Sequence, residues 1–287
     1  MMRDWGLGIG DWIHARCPFP AQSPIPNPQS PFFSVPDQRR HRGPHPDDLG
    51  LFAPELLPVL RQAAADLGWL LSRGYPHASS LKLVGDRHGL LARQRIAVSR
   101  STCSDEEAAR RQRCRAAAEA LSGRPLWLDG YNVLTTVEAA LAGGVLLLAR
   151  DGTLRDMASM HGSYRKVQET LPALELLGRT LARLGVAEAV WLLDRPVSNS
   201  GRLKRIMEEC AAAALWPWRV ELVPDPDRVL AETPHLVATA DSAILDRCSG
   251  WFNLARETVA AGVPGAWIVD LAIVQGQDAP SRRLDRE

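Results

Sequence analysis

The chain has 287 residues, 46% hydrophobic and 23% charged, enough to bury one large core or two small ones. A formal net charge of +1 gives no global attraction to polyanions, so any nucleic-acid binding has to come from local patches. Five scattered cysteines without a C-x-x-C pair exclude a disulfide framework and a zinc knuckle, and no apolar run reaches the ~18 residues of a membrane span. The expectation is a soluble, cytoplasmic protein with reduced thiols and no membrane partner.

Residues 1–43 hold the run "CPFPAQSPIPNPQSPFFSVP", whose prolines deny the backbone its ladder hydrogen bonds. This arm is expected to be disordered and dispensable for folding. Residues 44–122 read as a smaller, mainly helical, basic domain. Asp47 and Asp48 are placed to cap a helix, and Leu56, Leu57, Leu60, Ala64, Leu67, Leu70 and Leu71 recur at helical spacing. Between Arg87 and Arg115 eight arginines meet three acids, a local surplus of 8 − 3 = +5. Such a run is either a solvated face or a phosphate-facing surface, for which Arg93, Arg95, Arg110 and Arg111 are the candidates.

From residue 123 to 287 short apolar runs alternate with helical patterns, which predicts an α/β domain with a parallel sheet covered on both faces, three layers in all. "PLWLD", "AVWLLD", "WRVELV", "HLVATAD" and "GAWIVD" read as strands, and "GRLKRIMEECAAAAL" as an amphipathic helix. Four of the five runs end in aspartate: Asp129, Asp194, Asp241 and Asp270. In a parallel sheet these ends share one edge, where ligands bind. Carboxylates gathered there repel one another unless a cation intervenes, and hard oxygen donors favour Mg²⁺ or Mn²⁺. Taken singly, each aspartate is equally well explained as a helix N-cap.

Neighbouring residues extend the candidate site. Gly130 permits a tight turn after Asp129, and Asn132 is placed to orient that carboxylate. Ser242 and Asp246 follow Asp241 within about a helical turn. Asp151 and Asp156 could complete an acidic pocket, while Arg165, Lys166 and Arg202 could meet phosphate. Ser198, Asn199 and Ser200 form a turn before a helix, suited to an anion or to simple capping.

"LWLDGYNVL", "LLDRP" and "ATADSAILD" resemble the PIN-like nuclease superfamily, particularly its NYN branch, over roughly residues 124–272. The resemblance implies a Rossmann-like fold whose strand-end acids bind Mg²⁺ or Mn²⁺ and activate water against a phosphodiester. By motif match Asp129, Asn132, Asp194, Asp241 and Asp246 carry over as candidates. For the acid that the superfamily often carries after its first strand, Glu138, Asp151 and Asp156 compete. "LVGDRHGLLARQRIAVSR", "HGSYRKV" and "RPVSNSGRL" further resemble the family catalogued as domain of unknown function 434, joined to a C-terminal PIN-like module.

The leading functional expectation is a metal-dependent nuclease acting on RNA, with Asp129, Asp194 and Asp241 catalytic and Asp246 a further metal ligand. One alternative is a non-catalytic RNA- or nucleotide-binding module. A haloacid-dehalogenase-like phosphatase is the other, weakened because Asp-Gly-Tyr replaces Asp-x-Asp. The absence of a Gly-x-Gly-x-x-Gly or P-loop disfavours dinucleotide or ATP use. Oligomeric state is left open, with a homo-oligomer among the options.

Overall fold

The computed structural model describes residues 42–157 and 164–272. All but two residues of the proline-rich arm, together with residues 161–163 at the start of "HGSYRKV", lie outside them. The first half is helical: α1 (Asp48–Leu51), a 3-10 turn (Pro54–Leu56), α2 (Leu57–Leu71), α3 (His77–Arg87), α4 (Ala92–Ser101), α5 (Asp105–Cys114) and a second 3-10 turn (Ala118–Leu121). Next come β1 (Pro125–Asp129), α6 (Gly130–Leu141), β2 (Leu146–Leu148), β3 (Leu154–Asp156), α7 (Thr170–Arg183), β4 (Glu188–Asp194) and α8 (Ser200–Ala214). The chain continues through β5 (Trp218–Val223), α9 (Pro226–Glu232), β6 (Leu236–Ala238), α10 (Ser242–Leu245), β7 (Trp251–Phe252), α11 (Leu254–Gly262) and β8 (Ile268–Asp270).

Five strands form a sheet in the order β5-β4-β1-β6-β7, every neighbouring pair parallel. Side-chain alternation explains why these strands read as continuous apolar runs. On β4, Ala189, Trp191 and Leu193 enter one core with α6, α7, α8 and α11, whereas Val190 and Leu192 enter another with α9 and α10. Burial on both faces produces the three expected layers.

β4 and β5 lie on one side of β1, with β6 and β7 on the other. The winding therefore reverses between β1 and β6. A crevice opens at such a reversal, outside the strands' carboxyl ends, because the helices that follow the two strands depart to opposite faces.

One expected strand belongs elsewhere. β8 pairs with β2 in a separate sheet of order β3-β2-β8, β2 running antiparallel to β3 and parallel to β8. Asp270 therefore does not share the edge of the other tips; its carboxylate accepts the N–H of Ala272 at 2.9 Å. This small sheet packs Val145, Leu147, Val269 and Leu271 against Leu60, Ala64 and Leu67 of α2 and Ala97 and Val98 of α4. β2, β3 and β7 are only two or three residues long, too short to leave a legible alternation.

Candidate active site

Asp129 ends β1 and caps α6, accepting the N–H of Asn132 at 3.4 Å. Its other oxygen accepts a hydrogen bond from Thr239 Oγ1 at 2.8 Å. Asn132 reaches across the crevice, its Oδ1 taking the N–H of Ala240 at 2.9 Å. Asp241 caps α10 by accepting the N–H of Ala243 at 2.7 Å, and donates its own N–H to Thr239 Oγ1 at 3.0 Å. The residues after β6 are thus stitched to the residues after β1, across the winding reversal. Capping and site formation are one arrangement here, because a cap leaves lone pairs free to face outward.

Gly130 makes this possible by closeness. It stands at the turn from β1 into α6 without a left-handed φ. A Cβ there would stand 2.6 Å from Leu193 Cδ2 and 2.7 Å from the Leu192 carbonyl oxygen, so only glycine lets α6 start against β4.

A polar cavity of ≈ 250 Å³ sits at the crevice, lined by Asn132, Thr136, Asp156, Asp241 and Ser242 and also by Ser99, Arg100 and Arg155. Asp156 is buried and accepts from Thr135 and Thr136 hydroxyls at 3.0 and 3.2 Å. Four of the sequence candidates are therefore brought to one cavity.

Electrostatics link the tips. Burial pushes Asp129 up to about 7; the Thr239 hydrogen bond opposes this, and the nearby Asp227 and Asp241 add to it. Asp194 is also raised, by burial and then by Asp225, and its buried Oδ1 has no hydrogen-bond partner. Tyr131 lies beside it, its hydroxyl equally unpartnered and pushed to about 12 by burial and the Asp194 charge. Asp227 joins the two halves: burial raises it, followed by Asp241, Asp225 and Asp194. Sequence reasoning missed Asp225 and Asp227. They follow β5 as "PDPD", and the signal was present in a fifth strand end rich in acid, displaced by one proline from the apolar run.

Other candidates lie apart from this cluster. Asp246 receives Nε and Nη2 of Arg111, each at 2.7 Å, while Arg111 Nη1 reaches Asp151 at 2.7 Å. Burial alone would raise Asp151, but Arg155, Thr153 and Arg111 outweigh it and hold it below the usual carboxylate range. Arg111 is 2% exposed, so its guanidinium faces carboxylates inside the protein and no phosphate outside it. Glu138 is fully buried and accepts from Arg42, Tyr164 and Thr170. Arg93 pairs with Asp48 and Arg95 with Asp86, whereas Arg110 is exposed on α5. Much of the basic run thus serves internal ion pairs. Arg165, Lys166 and Arg202 gather at a different cavity.

Residues 118–257 match the family described as "Domain of unknown function (DUF5616)", and residues 59–113 match "Protein of unknown function (DUF434)". The chain is 30% identical over 186 residues to the "Uncharacterized protein MJ0935" of Methanocaldococcus jannaschii, an overlap covering 65% of this chain and 88% of that protein. The chain belongs to the MJ0935 family. No solved structure matches it. Arg111 lies in the DUF434 match and its partners Asp151 and Asp246 in the DUF5616 match, so a buried ion-pair network joins the two modules of this family member. No described helix is long and apolar enough to cross a membrane.

Proposed function

We propose that the crevice between β1 and β6 is the active site of a Mg²⁺- or Mn²⁺-dependent hydrolase of phosphodiesters, with RNA as substrate, on a PIN-like fold of the NYN type. The observation that carries it is the hydrogen-bonded joining of Asp129 and Asp241 through Thr239 at the winding reversal, where α/β sheets bind ligands.

The donors are oxygens suited to a hard cation, and Asp194 Oδ1 is a buried acceptor left without a donor. Asp129, Asp194 and Asp241 would hold the ion. Asp246 could join them only by releasing Arg111. Among the described residues no three His, Cys, Asp or Glu side chains already form a metal-holding group, so rotamer changes would accompany binding. The cation would supply charge neutralisation at the phosphate and lower the pKa of the attacking water.

The chain's own contribution is proton handling. In the metal-free site burial keeps Asp129 at about 7, so it would bind the ion by releasing that proton. The oxygen of the attacking water would then bond to phosphorus as the P–O bond to the leaving oxygen breaks, and the water's proton would pass to the leaving oxygen or to solvent. Thr239 and Asn132 fix its orientation.

Purified protein is expected to cleave RNA with Mn²⁺, to lose activity in EDTA, and to lose it on Asp241→Asn substitution. Equal cleavage by wild type and variant would overturn the assignment. The same fold as a non-catalytic RNA-binding module is the second reading, favoured by the unassembled state of the acids. It predicts RNA binding without cleavage.

A further inference from the structure

A second cavity, of ≈ 330 Å³, gathers Arg165 and Lys166 from the segment before α7 and Arg202 from the first turn of α8. All three are exposed, and among the described residues none has an ion-pair partner. Among the described residues no carboxylate lines the cavity; Leu203 and Ile206 supply an apolar wall. Its shape is fixed by hydrogen bonds of backbone and side chain. The Tyr164 N–H donates to the Ser198 carbonyl at 3.2 Å, Asn199 Nδ2 donates to the Tyr164 carbonyl at 3.0 Å, and the Tyr164 hydroxyl ends on buried Glu138. Three cations held together without a counter-ion repel one another, and an anion relieves that repulsion.

The cavity lies close to the acidic tips along the chain. Only four residues separate Asp194 from Asn199, and the Val197 N–H turns them back onto the Asp194 carbonyl at 3.2 Å. We propose that this cavity is a phosphate subsite sized for one nucleotide unit of a nucleic-acid strand. The guanidinium forks and the ammonium hold the phosphate, and the apolar wall packs against the attached sugar or base. A volume near the lower end of ligand pockets, about 300 Å³, suits one such unit. The choice of a nucleic-acid strand rests on the hydrolase reading, but phosphate binding here requires neither cation nor catalysis.

Binding of a short oligoribonucleotide, 5′-phosphorylated or 5′-hydroxyl, is measured in EDTA by fluorescence anisotropy at several salt concentrations. The comparison is wild type against the triple variant Arg165→Gln, Lys166→Gln, Arg202→Gln, whose exposed positions leave the melting temperature unchanged. The variant is expected to bind at least about tenfold more weakly, with the slope of log K against log salt reduced by about two. A wild-type preference for the 5′-phosphate that the variant loses assigns the subsite to a chain end; equal losses on both probes assign it to internal backbone. Either result upholds the subsite. Unchanged affinity and slope, or no binding by wild type, overturns it. If the variant loses binding while wild type fails to cleave RNA in Mn²⁺, the hydrolase reading falls and the subsite stands.

Discussion

Arg111 grips Asp246 through two hydrogen bonds of 2.7 Å and with its third nitrogen holds Asp151, tying α5 to α10 and to the loop before β3. Asp151 has a side chain only 1% exposed, whereas that of Asp246 is 29% exposed. Removing the guanidinium leaves Asp151 to Arg155 and Thr153 and leaves Asp246 partly hydrated and unpaired. Arg111→Met is therefore expected to cost about 2–4 kcal/mol in urea denaturation, less than a buried charge with no remaining partner. Asp246→Asn, which keeps an acceptor and gains access to water, should cost less, about 1–3 kcal/mol. A loss below about 1 kcal/mol for Arg111→Met would show that the network does not hold the modules together.

Asp129 makes stability fall with rising pH. Its folded pKa, about 7, lies above the ordinary value of 3.8, so between these pH values the folded state binds the extra proton. Stability contributed by this group is complete below about pH 4 and is lost as pH rises toward 7. Asp129→Asn keeps an oxygen for Thr239 and removes the ionisation. It should raise the melting temperature at pH 8 in EDTA and leave it nearly unchanged at pH 4. Added Mn²⁺ should stabilise the wild type at pH 8, by mass action, more than the variant. Identical melting of both proteins at pH 8, with and without Mn²⁺, would remove the electrostatic basis of the site.

Arg42 sets a limit on how much of the proline-rich arm can be removed. Its guanidinium meets Glu138, whose side chain is fully buried, and stacks over the Tyr164 ring at 5.3 Å from the centroid. Burial raises Glu138 above the usual carboxylate range, and Arg42, Thr170 and Tyr164 oppose that rise. A chain beginning at residue 42 should melt like the full chain. One beginning at residue 44 should lose about 3–5 kcal/mol, because a buried charge is left unpaired. Restoration of that stability by Glu138→Gln in the shorter chain would confirm the cause. Equal melting of the two truncations would show that the pair contributes nothing.

The candidate site was only partly legible along the chain. Asp129, Asn132, Asp241 and Ser242 stand out because a strand end and the following cap are local features, written within a few consecutive residues. Asp227 carries a fainter local signal, set off from the end of β5 by two prolines and Asp225: it lies within the first turn of α9, and its coupling to Asp194 and Asp241 arises across the crevice. The arginine run misleads for a related reason. A sequence shows eight charges but not the acids that meet them, so buried Arg111 and solvent-facing Arg110 look alike when adjacent.

By itself the sequence determined the layered α/β class, the three long strands β1, β4 and β5 of the parallel sheet together with the run that holds β6, and the helical first half. Burial on both strand faces and 3.6-residue periodicity are properties of contiguous residues. Only the tertiary structure decided strand order, the winding reversal between β1 and β6, and the removal of β8 and Asp270 to a second sheet. Those depend on which apolar faces meet, as when Leu147 and Val269 pack on α2 and α4, and no residue carries its distant partner in its neighbours. The same holds for charge. Whether an aspartate becomes a site, a cap or half of a buried ion pair is fixed by what folding sets beside it: Thr239 for Asp129, Arg111 for Asp246.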